Sequence, residues 1–286
     1  MTAPDGLLVV DKPAGWTSHD VVGKVRRLAG TRKVGHAGTL DPMATGVLVL
    51  GIGRATRLLG HLSLTDKDYD ATIRLGITTV TDDAEGDVLE QRDASGVGDV
   101  GAAMTQLTGD IEQVPSAVSA VKVDGVRSYA RVRAGEDVEL AARRVTVTRF
   151  ELVQRRGDEL DVRVSCTSGT YVRALARDLG RLLGVGAHLT ALRRTRVGPF
   201  DLATARTLEQ HADALAVVLL DDAVAAAFPR RELTADEATA LSHGKKLDPT
   251  GTPGTYGAFA PDGRCIALVE DRDGVARSSV VFSPAG

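Results

Sequence analysis

The chain of 286 residues has only two cysteines, Cys166 and Cys265. So few cannot build a disulfide framework, and without a Cys-x-x-Cys pair or a His/Cys cluster at ligand spacing they cannot build a zinc site. Long apolar runs are also missing. The longest, Ala214 to Leu220, is far too short to span a bilayer, and Met1-Thr2-Ala3-Pro4-Asp5 carries no basic segment leading into an apolar stretch. A cytoplasmic protein with no membrane contact and no bound metal is expected. Common catalytic signatures are absent as well. Gly51-Ile52-Gly53 lacks the third glycine and helix-opening spacing of a dinucleotide site, and neither a phosphate-binding Gly-Lys-Ser/Thr loop nor a Gly-x-Ser-x-Gly elbow occurs. Aromatic residues make up only 3%, so each Tyr, Phe and Trp is individually informative.

What is present is an ordinary globular composition, 43% hydrophobic and 26% charged, long enough for one main domain and a smaller one. The net charge of −3 argues against a nucleic-acid binder until it is followed along the chain. Residues 1–60 hold 8 Lys/Arg against 4 Asp/Glu and residues 143–200 hold 12 against 5, whereas residues 61–112 hold 3 against 12 and residues 201–286 hold 8 against 13. Two basic segments separated by acidic ones can fold into one positive face, the footprint a polyanion needs, although solvated arginine-rich faces give the same counts.

Hydrophobic periodicity gives the outline. Leu7 to Val10 reads as a buried strand ended by the Lys12-Pro13-Ala14-Gly15 turn, and Val21, Val22, Val25, Leu28 and Ala29 share one face of a helix capped by Thr17 or Ser18. Val47 to Ile52 reads as a central strand, Tyr69 to Leu75 as a half-buried one, and Asp82 to Asp87 as an acidic surface loop. Ala102 to Leu107 reads as a helix and Asp124-Gly125 as a hairpin turn. Leu160, Val162, Val164 and Cys166 alternate as a further strand. The helix that follows has Val172, Leu175, Ala176, Leu179, Leu182 and Leu183 on one stripe and Arg173, Arg177 and Arg181 on another. Leu215 to Leu220 reads as an apolar helix, and Pro229 is the best boundary before a small module of one helix and several strands. Strands mixed irregularly with helices argue for an α+β fold.

The unusual segment is Gly35-His36-Ala37-Gly38-Thr39-Leu40-Asp41-Pro42-Met43-Ala44-Thr45-Gly46. Its glycines permit special dihedrals, and Asp41, biased away from helix by Pro42, presents a carboxylate on an extended loop at a strand entrance, a frequent place for catalytic groups. The loop alone is equally consistent with an Asp41 that caps a turn and a His36 that is a satisfied loop residue.

Together with Asp11-Lys12-Pro13-Ala14-Gly15-Trp16-Thr17-Ser18, Lys67-Asp68-Tyr69, Ser168-Gly169-Thr170-Tyr171-Val172-Arg173 and Leu192-Arg193-Arg194-Thr195-Arg196-Val197-Gly198, this segment resembles the signature of the TruB-type tRNA pseudouridine synthases, of an actinobacterial kind. These motifs appear in order over residues 11–198, which makes the resemblance far more specific than any one of them. It implies a pseudouridine-synthase fold with a mixed, largely antiparallel central sheet flanked by helices in residues 1–228. It also implies an RNA-contacting insertion at about 114–144 and a small β-rich PUA-like module at 229–286. The substrate it implies is uridine-55 in the T stem-loop of tRNA, with no cofactor, and a monomer is the simplest assembly.

By the same resemblance Asp41 is the catalytic aspartate, Arg173 pairs with it, Tyr69 stacks on the base, Tyr171 and Leu192 wall the pocket, and His36 fills the space of a flipped-out nucleotide. The chemistry agrees: breaking the bond from N1 of uracil to the ribose and rejoining through C5 is redox-neutral, and a carboxylate can stabilise or trap the intermediate carbon. Attack at C6, attack at C1′ and proton abstraction at C2′ all remain compatible with it. An adjacent guanidinium would hold such a carboxylate charged and oriented. Tyr69, apolar in body and polar at its tip, is a candidate acceptor for the C5 proton. Lys12, Arg32, Lys33, Arg143, Arg144, Arg193, Arg194 and Arg196 are candidates for phosphate contacts. Competing readings are an RNA-binding or tRNA-folding factor without chemistry, and a nucleoside hydrolase that would release free uracil.

Overall fold

In the computed structural model, residues 3–117 and 140–283 are described in full, together with the backbone of 122–123 and 126–127. The two continuous apolar runs become strands with both faces covered. In β1 (Gly6–Lys12) and β3 (Thr45–Ile52), Leu8, Val10, Leu48, Leu50 and Ile52 enter one core while Leu7, Val9, Val47 and Val49 enter another. A strand wet on one side alternates; one buried on both sides need not. β4 (Lys67–Leu75) does alternate, with Tyr69, Ala71, Ile73 and Leu75 inward and Asp68, Asp70, Thr72 and Arg74 outward.

These strands belong to a ten-stranded sheet of order β14-β1-β3-β12-β4-β11-β10-β7, with β2 (Val34–His36) added beside β3 and β13 (Phe200–Asp201) beside β12. The others are β7 (Gly109–Gln113), β10 (Arg143–Arg156), β11 (Glu159–Cys166), β12 (Ala187–Val197) and β14 (Val217–Leu219). Every pairing is antiparallel except β12 with β3, so the sheet is mixed and largely antiparallel, as expected. Two helices cover one face. α1 (Ser18–Leu28) starts on a capping box between Thr17 and Asp20 and buries Val21, Val22 and Val25. α4 (Val172–Leu182) buries Val172, Leu175, Ala176 and Leu179 in the same core; α2 (Leu59–Ser63) and α3 (Gly101–Gln106) are short.

Three sequence expectations need correction. Leu182 is exposed at the helix end rather than part of the core stripe. Val217–Leu219 is a strand, not a helix, because its β-branched residues find the free edge of β1; the helix, α6 (Leu220–Ala227), begins only after it. The acidic loop is not wholly a surface loop, since Asp83 is 3% exposed. Outside the large sheet, β5 (Ile77–Thr79) pairs antiparallel with β6 (Val88–Gln91), and the backbone of β8 (Lys122–Val123) with that of β9 (Val126–Arg127), while the Asp124-Gly125 turn and most of the insertion lie outside the described residues.

After α5 (Leu208–Asp213) and α6, the chain forms a four-stranded sheet, β15 (Arg230–Glu232), β16 (Thr255–Phe259), β17 (Cys265–Arg272) and β18 (Val275–Val281), with α7 (Ala235–Ser242) beside it. Leu233, Leu241, Tyr256, Ile266 and Val269 form its own small core. Phe259, Leu268 and Phe282 instead join Leu7, Val9, Val47 and Val49. The module is thereby fastened to the face of the large sheet opposite α1 and α4.

Candidate active site

Residues 37–44 cross from β2 to β3 and are held by the groups beneath them. Lys12, fully buried, donates from Nζ to the carbonyls of Pro13 (2.9 Å), Trp16 (2.7 Å) and Pro42 (3.2 Å). Arg194, also buried, donates from Nε to Val47 O (2.7 Å), from Nη1 to Thr39 O (3.2 Å) and from Nη2 to Gly38 O (3.3 Å). Ser18 Oγ donates to Leu40 O and accepts from Leu40 N, fixing the loop to the first turn of α1. Gly46 has to be glycine: its φ is +98°, and a Cβ there would stand 2.2 Å from Arg194 O on the adjacent parallel strand. The loop that carries Asp41 is therefore rigid by construction, as a site that must align a carboxylate to fractions of an ångström requires.

Asp41 and Arg173, 132 residues apart in sequence by their numbers, meet at 3.0 Å between Oδ2 and Nε. The Arg173 side chain is 6% exposed and that of Asp41 33%. Arg173 Nη1 donates to Thr81 O at 2.8 Å and lies 3.4 Å from Oδ2 of Asp83. One guanidinium therefore bridges a buried carboxylate and a half-exposed one. Desolvating such charges costs as much as their attraction returns, so the arrangement is better read as orientation than as stabilisation. Arg173 fixes Asp41 from behind and leaves part of it accessible.

Tyr69 is buried on the same face of β4. Its phenol is pushed up to about 12, chiefly by burial, with the Arg194 guanidinium acting in the opposite direction through charge and a hydrogen bond. Near neutral pH the Tyr69 phenol is therefore protonated, as an ordinary tyrosine is.

An opening lies where the sheet is interrupted. On one edge of β12, pairing with β3 covers Arg193 and Arg194, and Asp83 bridges Leu189, so Thr190–Leu192 face a gap between β3 and the acidic loop. A cleft of about 560 Å³ occupies this region, lined by Met43, Thr45, Ala71, Glu85, Leu192 and Arg193 among others. Asp41, Tyr69 and Arg173 are not in its walls; Met43 stands two residues from Asp41, and the Glu85 carboxyl is raised by burial and by the Asp83 and Asp41 charges. Leu192 is buried and lines this cleft. Tyr171 is half-buried at the N-cap of α4, with its backbone N and O both bonded to the Gln113 side chain (2.8 and 3.2 Å). His36 is half-buried, with the His19 ring edge-on at 5.6 Å between centroids.

The basic candidates divide sharply. Arg194 and Lys12 are corrected from phosphate contacts to internal supports, since neither reaches solvent. Arg193 is paired with Asp11 (2.8 Å), Arg196 with Asp68 (2.6 Å) and Arg144 with Asp110 (2.8 Å). Arg32, Lys33 and Arg143 are exposed. Asp83, Thr81 and Glu85 were missed from sequence, because an acidic run beside Gly86 carries no local mark that one of its carboxylates turns inward to an arginine 90 positions later. Among the described residues no group of three His, Cys, Asp or Glu side chains could hold a metal ion, and no helix is long and apolar enough to cross a membrane.

Comparison with known proteins gives this geometry a family. Residues 26–172 match the profile described as TruB family pseudouridylate synthase (N terminal domain). The chain belongs to the TruB family. Residues 173–226 match the family's tRNA pseudouridylate synthase B C-terminal domain, and residues 228–283 match tRNA Pseudouridine synthase II, C terminal. A protein of Thermobifida fusca (strain YX) named tRNA pseudouridine synthase B is 60% identical over 98% of this chain and 99% of its own length. One of Rhodococcus jostii (strain RHA1) with the same name is 61% identical over 98% of this chain and 94% of its own. Among solved structures, a Cbf5-Nop10-Gar1 complex matches with a TM-score of 0.75 and 26% identity over 98% of this chain and 85% of that one. The pseudouridine-synthase fold of the TruB family is thus that of this chain.

Proposed function

We propose that this protein isomerises uridine-55 in the T arm of tRNA to pseudouridine, with Asp41 as the group that acts on the extruded nucleotide. The observation that carries the reading is the 3.0 Å pair between Asp41 and the buried Arg173 beside the cleft. The names of the relatives, tRNA pseudouridine synthase B, supply the substrate class, and a structural neighbour with 25% identity is an H/ACA RNP bound to a substrate RNA containing 2′-deoxyuridine.

The N1–C1′ bond of the uridine breaks, the uracil turns, and C5 bonds to C1′. N1 ends protonated and the C5 proton leaves to solvent, so the reaction needs neither oxidant nor cofactor. Extruding the base from the folded T arm costs a few kcal/mol of stacking, offset by contacts in the site. The Tyr69 ring and Leu192 wall the base, Tyr171 closes the pocket from the start of α4, and His36 takes the vacated space. RNA stems hide their base edges, so recognition rests on loop shape and phosphates, contacted by Arg32, Lys33 and Arg143. The insertion at about 114–144, most of it outside the described residues, adds RNA contacts, and the PUA-like module at 229–286 extends them through local cations such as Lys245 and Lys246. The enzyme works as a cytoplasmic monomer.

A tRNA transcript tritiated at uridine C5 tests this. An isomerase releases tritium to water with the polynucleotide intact, whereas a hydrolase releases tritiated uracil and a binding protein releases nothing. Release is expected from one site per tRNA and is lost from a transcript carrying cytidine at position 55. Continued release from that transcript contradicts the assignment of position.

A further inference from the structure

The only tryptophan of the chain, Trp16, is 37% exposed, although large aromatic side chains are ordinarily well covered. Its turn is clamped to the loop of Asp41. Gly15 N donates to Pro42 O at 2.8 Å, and Lys12 Nζ bonds both Trp16 O (2.7 Å) and Pro42 O (3.2 Å). Thr17, the next residue, caps α1, and Ser18 is bonded to Leu40. The ring therefore projects from a backbone fixed on both sides, one residue from a segment that touches the neighbour of Asp41. The segment that follows Trp16 carries histidines and cations. His19, exposed on the first turn of α1, stands edge-on to His36, and Arg26, Arg27, Arg32 and Lys33 lie exposed along the same segment. The single nearby acid on that turn, Asp20, is occupied with the Thr17 cap.

We propose that Trp16 is a stacking platform for an unpaired nucleobase of the RNA substrate, adjoining the extruded uridine. Aromatic faces interleaved with cations, on a rigid turn, fit an RNA loop whose bases are already unstacked. A protein partner would call for a contiguous apolar patch, and a single indole on a turn that leads into a helix with a basic last turn is a poor one. The inference rests on the RNA-modifying reading above and adds a contact to it.

Because Trp16 is the sole tryptophan, intrinsic fluorescence reports it directly. Titrating the full chain with an unlabelled T-arm stem–loop RNA, with binding followed independently by filter retention, is expected to quench Trp16 emission and shield it from acrylamide at the same midpoint. Trp16→Ala is expected to raise KM about tenfold, with kcat falling less than about threefold, and Trp16→Phe to recover most of the loss. Because Lys12 bonds the Trp16 carbonyl and not the ring, both variants are expected to keep the turn and the fold, checked by their melting temperatures. If wild-type protein binds and modifies the RNA while Trp16 emission and acrylamide access stay unchanged, or if Trp16→Ala keeps the wild-type KM, the platform is overturned and the isomerase reading stands. If wild-type protein neither binds nor modifies RNA, the functional reading fails, and the platform with it.

Discussion

Helix α4 carries the same residue type at its two ends with opposite consequences. Arg173, Arg177 and Arg181 recur every fourth position, yet their side chains are 6%, 28% and 78% exposed. At the first end the guanidinium touches Asp41, Asp83 and Thr81 O. In the middle Arg177 meets Asp82 (3.2 Å), Asp178 (3.1 Å) and Val114 O (2.7 Å). At the far end Arg181 has, among the described residues, only Asp178, at 3.6 Å. What a charge contributes is set by what surrounds it: removing one member of a buried pair typically costs about 3–5 kcal/mol, against about 0–1 kcal/mol for an exposed pair.

The largest effect should follow from Arg173→Lys. A lysine keeps the charge but cannot span two carboxylates and a carbonyl in one plane, so single-turnover isomerisation should fall by about 10²–10³ with RNA affinity within about threefold. Retained rate in that variant would erase the distinction between the two helix ends. A graded effect is expected from pH, because Lys12 beneath the loop has its ammonium lowered to about 8 by burial, as has Lys67 beside Arg194. Loss of the Lys12 proton removes one of the three donors that tie the Trp16 turn to Pro42 in the loop, so the rate should decline above about pH 8. Stability should move the other way. A lysine whose folded pKa lies below its ordinary 10.5 binds fewer protons in the folded than in the unfolded chain between about 8 and 10.5. Stability therefore rises with pH in that window, by at most about 1.4 kcal/mol per unit per group. Rate profiles and urea melts across pH 7–10 check the opposed signs, and the rise in stability should shrink in Lys12→Met. Arg177→Ala, which leaves the buried side of Asp82 without its cation, should cost about 1–2 kcal/mol in the same melts. Arg181→Ala should change neither melt nor rate, staying within about 0.5 kcal/mol.

Part of this was legible in the sequence, residue by residue. The alternation of Tyr69, Ala71, Ile73 and Leu75 and the stripe of Val172, Leu175 and Leu179 follow from period alone, and the structure keeps them. The meeting of Asp41 with Arg173 was implied by resemblance; nothing in local spacing joins residues so far apart. Arg193 and Arg194 look equivalent as a basic pair, but strand alternation puts Arg194 on the inward face with Leu192, where the carbonyls of Gly38 and Thr39 in the Asp41 loop and of Val47 on β3 each accept from its guanidinium. Lys12, in a turn-like Asp-Lys-Pro sequence, gave no sign of burial, because its partners Trp16 and Pro42 are brought to it only by the folded loop. Asp83 was hidden in the same way, among acids that do face water.

The most direct measurement is tritium release from C5-labelled tRNA by Asp41→Asn, an isosteric change that keeps the loop and its anchors. Release should fall to background while the RNA is bound within about tenfold of wild type. Release at a rate near wild type would contradict the assignment of the chemistry to Asp41.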